Sequence, residues 1–173
     1  MMRNFRQFAV FCATAISFAA QAQLSIEVTG AGANRIPVTI ADFGGEAGAS
    51  RAITTVIRGD LERSGLFKLV DQAQSPITEA TSVDYNAARS RGTDALAAGS
   101  IGGTADGRLE ARFRLYDTNK QSQLAGAAFV TSAPLLRTAG HRIADVIYEK
   151  LIGEPGIFST RIAYVVKSRG QFL

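Results

Sequence analysis

Leu109, Ala111, Phe113 and Leu115 alternate with Glu110, Arg112, Arg114 and Tyr116. A two-residue period puts successive side chains on opposite faces of an extended chain, so this stretch is a strand with one apolar and one polar face. Asp106-Gly107, a strong hairpin signal, precedes it, and Thr118-Asn119-Lys120 turns the chain after it. The stretch is therefore the middle of a meander, with Ala95 to Ile101 before it and Leu124 to Val130 after it. Three such strands make a sheet that is wet on one side and needs a cover on the other.

Two segments have the period of such a cover. From Ser50 to Arg63, Ile53, Val56, Ile57 and Leu61 recur at three- and four-residue spacing, and Ser64-Gly65 supplies the stop. Beyond the meander, Leu136, Ala139, Ile143, Val146, Ile147 and Leu151 fall within one arc. Pro134 suits the first turn of that helix and Gly153 its end. Ile36 to Phe43 reads as a core strand whose Pro37 places its start near an edge, and Leu66 to Val70 as a short strand. Asp71 to Asp84 is polar, contains Pro76 and is expected to be a surface loop; Tyr85 to Arg91 is expected to be a short helix ended by Gly92. The fold class is α/β (α+β): a mixed β-sheet with two main helices packed on it. Roughly 150 residues after the leader suffice for one core.

The first 22 residues have a different pattern. Arg3 and Arg6 begin a basic head, Phe8 to Ala20 is an apolar body, and Ala20-Gln21-Ala22 is a small-x-small ending. This is the pattern of a secretory signal peptide cleaved after Ala22, which sends the product to the periplasm. A membrane anchor needs ~20 apolar residues, and this run is shorter. Lipidation at Cys12 fails because Phe11, not a small residue, precedes it. Cleavage leaves a chain without cysteine, which removes disulfides, thiolate ligands and a Cys nucleophile from consideration. It also lowers the 19 Lys and Arg to 17 against 15 Asp and Glu, a balance of +2. With no basic run and no Trp, nothing points to nucleic acid. Leu24-Ser25-Ile26-Glu27-Val28 then alternates as a strand would, and Thr29 to Asn34 tethers it with glycines: a short arm able to dock or detach, or an ordinary edge strand.

Candidate chemistry is sparse. Ser100 in Ala98-Gly99-Ser100-Ile101-Gly102 lacks the glycine that a nucleophile elbow has two residues before its serine. Gly44-Gly45-Glu46-Ala47-Gly48 lies between strand and helix, where amides can hold an anion. Its spacing matches no phosphate fingerprint, and Glu46 would repel a phosphate, so it reads as a strand-to-helix turn. One His and no Cys build no common transition-metal site, and the acids are scattered. No pair of carboxylates sits in a suggestive context. His141 lies toward the polar flank of the last helix, with Asp145 one turn on and Tyr148 two turns on. This reads as a surface i,i+4 pair rather than a catalytic base.

The last helix and its C-terminal continuation, "HRIADVIYEKLIGEPGIFSTRIAYV", together with "IPVTIADFGG", "GLFKLV", "GTDALAAGSI" and "DGRLEARFRLYDTNKQSQLAG", resemble the amino-terminal domain of the TolB family. That family is the periplasmic component of the Tol-Pal cell-envelope system. The resemblance covers nearly all of the chain after the leader. Ile152 stands where the family usually has Thr, and Tyr116 where it usually has Trp. Ile162 to Lys167 reads as a strand and matches entry into the family's six-bladed β-propeller, with most of the propeller expected beyond this sequence.

The resemblance implies a domain layout: signal peptide 1–22, mature arm 23–34, α/β domain 35–157 and the start of a propeller at 158–173. The domain would have a fold similar to an anticodon-binding domain, without implying RNA binding. It implies a non-enzymatic adaptor, without cofactor or metal, that maintains outer-membrane integrity and supports cell division and colicin import through protein–protein contacts. TolA would be met by the arm through Leu24, Ile26 and Val28, and Pal by the propeller; attachment to the outer membrane would be peripheral, through partners. The alternative is an independent envelope-assembly or ligand-binding periplasmic module of similar strand-helix pattern.

Overall fold

The structure, a computed structural model, describes residues 35–71, 76–161, 167–168 and 171–172. The expected leader and arm, residues 1–34, lie outside the described residues, as do residues 162–166 of the expected last strand.

Strands β1 (Ile36–Ile40), β2 (Gly44–Gly45), β3 (Phe67–Leu69), β4 (Ala95–Gly103), β5 (Leu109–Asp117) and β6 (Ser122–Thr131) form one mixed sheet in the order β3-β1-β4-β5-β6, with β2 also paired to β4. β1 is parallel to β3 and to β4, and the meander β4-β5-β6 is antiparallel. Helix α1 (Ala47–Arg63) crosses from β2 to β3, short α2 (Tyr85–Ser90) precedes β4, and α3 (Leu136–Ile152) comes after β6 and a single 3-10 turn at Ala133–Leu135. β7 (Lys167–Ser168) and β8 (Gln171–Phe172) pair as a separate antiparallel hairpin.

The mixed sheet and its two covering helices match the sequence expectation. α1 starts earlier than its apolar period suggests, reaching back to Ala47, and Ser50 Oγ donates to the Gly44 carbonyl at 2.9 Å to tie its first turn to the strand before it. The apolar face of the meander meets the helices: Phe113 and Leu115 lie in one cluster with Ile53, Ile57 and Leu61 of α1 and Ile143 and Ile147 of α3, all buried. Each such side chain contributes about 1.5–3 kcal/mol by leaving water. On the other face Arg112 and Arg114 are exposed, so that half of the sheet is wet, as expected.

Two expectations are corrected. Pro37 sits in an interior strand, flanked by β3 and β4, not near an edge. It is tolerated because the pairing of β1 with β4 begins only at Val38 and Ala95, so no ladder bond is asked of its nitrogen; its carbonyl accepts from Asp94 N–H at 2.9 Å. The segment before α2 is not simply surface. Ile77 donates to the Asp42 carbonyl at 3.2 Å and accepts from Gly99 N–H at 3.1 Å, filling the gap where β1 has ended. Ile77, Val83 and Tyr85 then pack on Ala41, Ala98 and Tyr116, giving part of the second face its own small apolar cover.

Gly99 is required where it stands. A Cβ there would lie 2.4 Å from the Arg112 carbonyl oxygen and 2.6 Å from the Phe43 ring, whereas one on Gly102 meets nothing within 4 Å. Gly99→Ala should therefore destabilise by about 2–3 kcal/mol in urea unfolding, and Gly102→Ala should stay within about 0.5 kcal/mol of the parent. Equal effects would show that the strand has room at Gly99.

Candidate functional site

Helix α3 carries the chain's only histidine, and the neighbours of that histidine are decided by how closely α3 approaches α1. The two helices meet where Gly140 faces Val56: a Cβ on Gly140 would fall 2.9 Å from the Val56 side chain. At that separation His141 is drawn toward α1 rather than left in solvent on the polar flank. Its ring Nδ1–H donates to Asp60 Oδ2 at 2.5 Å, and Arg63 Nη2 donates to the other oxygen, Oδ1, at 2.6 Å. The Asp60 side chain is 4% exposed and the His141 side chain 18%.

This corrects the expected His141–Asp145 pair. An i,i+4 spacing describes an isolated helix; here a buried carboxylate on the neighbouring helix requires donors and takes the imidazole. Asp145 is engaged elsewhere. Its Oδ1 accepts from Phe158 N–H at 2.7 Å and its Oδ2 from Ser159 N–H at 3.1 Å. Sequence reasoning missed Asp60, and a signal for it existed: it stands three residues after Ile57 and next to Leu61, a charge on an apolar helix face.

Asp145 and Tyr148 together hold the segment through which the chain leaves α3. Gly153, at φ +88°, ends the helix with its N–H on the Glu149 carbonyl at 2.8 Å. The chain then doubles back. Gly156 passes so close to Asp145 that a Cβ there would lie 2.4 Å from the Asp145 Cα. Phe158 meets Tyr148 edge to face with centroids 5.6 Å apart, and Tyr148 meets Phe67 in the same manner at 6.0 Å. Helix, turn and return segment are thus pinned by two hydrogen bonds and two aromatic contacts.

The other candidate residues have structural places. Ser100 lies in mid-strand on β4, opposite Arg112 and beside Gly44, not on a sharp turn. Gly44-Gly45 is drawn onto β4 so tightly that a Cβ on Gly45, at φ +97°, would lie 1.9 Å from the Ile101 oxygen; the glycines serve that approach. Among the described residues no three His, Asp or Glu side chains gather as a metal site, and no helix is long and apolar enough to cross a membrane. Leu24, Ile26 and Val28 lie outside the described residues. A His–Asp pair can orient a catalytic base, but among the described residues the other ring nitrogen of His141 has no hydroxyl partner. The geometry is that of a clamp between helices.

The TolB amino-terminal domain family matches residues 24–124. The Tol-Pal system protein TolB of Dechloromonas aromatica is 64% identical over 166 residues, covering 95% of this chain and 39% of that protein. Its counterpart in Aromatoleum aromaticum is 51% identical over 172 residues, covering 99% of this chain and 40% of that protein. The crystal structure of TolB from Acinetobacter baumannii superposes with a TM-score of 0.65 at 32% identity, over 77% of this chain and 32% of that one. The chain spans about two fifths of the length of the curated relatives it matches.

The clamp and the exit anchor separate in unfolding experiments. His141→Ala leaves the Asp60 carboxylate buried with one charged partner and should cost about 1–3 kcal/mol, with a coupling to Asp60→Ala of about 1 kcal/mol or more in a double-mutant cycle. Asp145→Ala should cost about 1–2 kcal/mol and speed amide exchange at Phe158 and Ser159 while leaving α1 unchanged. Additive His141 and Asp60 effects would disprove the clamp.

Proposed function

The chain belongs to the TolB amino-terminal domain family, and we propose that it is the adaptor domain of a periplasmic Tol-Pal component, working through protein–protein contacts without catalysis. The observation that carries this reading is the family match, which begins at Leu24, within the arm, and runs to Leu124, at the start of β6. The fold agrees with it: its buried charge cluster is taken up in holding two helices together, and its most specific sequence is taken up in fixing the chain's exit. The relatives at 64% and 51% identity are Tol-Pal proteins by name.

In this reading residues 1–22 are a signal peptide cut after Ala22, and the product acts in the periplasm in support of outer-membrane integrity, cell division and colicin import. Residues 23–34 are an arm that adds a strand to TolA, with Leu24, Ile26 and Val28 as the apolar contacts on one face of that strand. The glycines of Thr29 to Asn34 suit a tether, because Gly lacks the Cβ that narrows backbone choice. Residues 35–157 form the α/β domain that carries the arm, and residues 158–173 lead toward the propeller with which the family binds Pal.

Deleting Gln23 to Ala33 should leave the circular dichroism spectrum and melting temperature of the domain unchanged and abolish the heat of TolA binding in titration calorimetry. Unchanged affinity would remove the arm from the interface.

A further inference from the structure

β6 is an outer strand of the sheet, at the edge opposite β3, and none of its backbone groups bonds to backbone outside the β5 ladder among the described residues. Alternate residues of an edge strand present their N–H and C=O outward, ready to pair with another extended chain. At its C-terminal end this edge borders a groove whose far wall is α3. Phe129 and Val130 come from the strand, Leu135 and Ala139 from the helix side, and Arg142 and Arg161 complete the lining. Leu135, on the groove, is 53% exposed; Val130, 48% exposed and opposite Glu110 in the ladder, turns its side chain to the other face of the sheet. No acidic residue lines it. Neither Arg142 nor Arg161 has an ion pair among the described residues, although Arg58, Arg63, Arg108 and Arg112 each have one.

We propose that the groove between β6 and α3 is a second docking site, distinct from residues 23–34, for an extended acidic segment of a partner protein. The segment adds a strand to the open edge at Phe129–Thr131. Its apolar side chains, on one face, cover Val130, and its carboxylates, on the other, pair with Arg142 and Arg161. Three features select this occupant. The backbone edge calls for an extended chain rather than a helix; the exposed Val130 on one face of that edge calls for apolar side chains there; and the two guanidinium groups on the other, which bind carboxylates in a fork, call for acid. Asp60 and Asp145, the carboxylates engaged at the buried side and the exit of α3, are already bonded and cannot serve them.

The test is a titration of the full chain with an acetylated peptide of alternating Val and Glu, monitored by amide and arginine side-chain NMR shifts. The Val-Lys peptide of the same length is the control. Shifts should concentrate at Phe129 to Thr131, Leu135, Arg142 and Arg161, and the Val-Lys peptide should bind at least about tenfold more weakly. The double variant Arg142→Ala/Arg161→Ala should keep its melting temperature and lose at least about tenfold in affinity for the Val-Glu peptide, whereas Arg142→Lys/Arg161→Lys should recover part of it. Equal binding of the two peptides, shifts located elsewhere, or no saturation by the Val-Glu peptide would overturn the proposal. So would a dimer, seen in sedimentation, that the double variant dissolves, since it would assign the edge to a second copy. If removal of residues 23–34 raised peptide affinity, the chain's own arm would be the occupant and the partner assignment would fall.

Discussion

The close approach of α1 and α3 at Gly140 is the constraint on which the rest of the architecture depends. A sheet with one apolar face needs a continuous cover, and two helices supply it only if no gap opens between them. Gly140 removes the side chain that would hold them apart at Val56. Ile53, Ile57, Ile143 and Ile147 then fill the space against Phe113 and Leu115 without exposure. The same proximity brings Asp60 beside α3, where a lone carboxylate would cost several kcal/mol. Arg63 from its own helix and His141 from the neighbour complete its hydrogen bonding. The polar clamp is thus a consequence of close helix packing. It also sets the register: sliding α3 by one turn would leave Asp60 without the imidazole.

Periodicity made most of this legible from sequence. The meander from Ala95 to Thr131 and both long helices emerge from apolar residues at spacings of two and of three to four, because in each case the local period and the tertiary burial agree. The points that sequence missed are those where a distant element decides. Pro37 signals an edge by its missing N–H, yet the ladder on that side starts one residue later, so an interior position costs nothing. The polar stretch before α2 reads as loop, yet Ile77 is drawn into the sheet because β1 stops at Ile40 and leaves Gly99 N–H without a strand partner. His141 reads as half of an intrahelical pair because Asp145 is visible at i+4, while Asp60 stands 81 residues earlier in sequence. The charge on α1's apolar face was the one local sign that a partner had to come from elsewhere.

The candidate site was legible as a signature but not as a mechanism. Tyr148, Gly153, Gly156 and Phe158 each have a separate physical duty. Gly153 takes a left-handed conformation that ends the helix, Gly156 permits contact with Asp145, and the two rings meet edge to face. A pattern of residues that each satisfy one local geometric demand is what a junction between rigid parts requires.

The two ends of the domain are joined through the same packing. Ile36, the first residue of β1, is paired with Phe67; Phe67 meets Tyr148, and Tyr148 meets Phe158. The root of the segment that leads into the sheet and the segment that leads out of α3 are therefore three contacts apart. Contiguity of this kind passes on position, but it becomes a switch only if some member has two arrangements that a ligand can bias. None of these contacts has that character: Tyr148 is held between two rings, and Asp145 fixes the backbone at and beyond Phe158. The contacts from β1 to the segment after α3 thus form one continuous packed path.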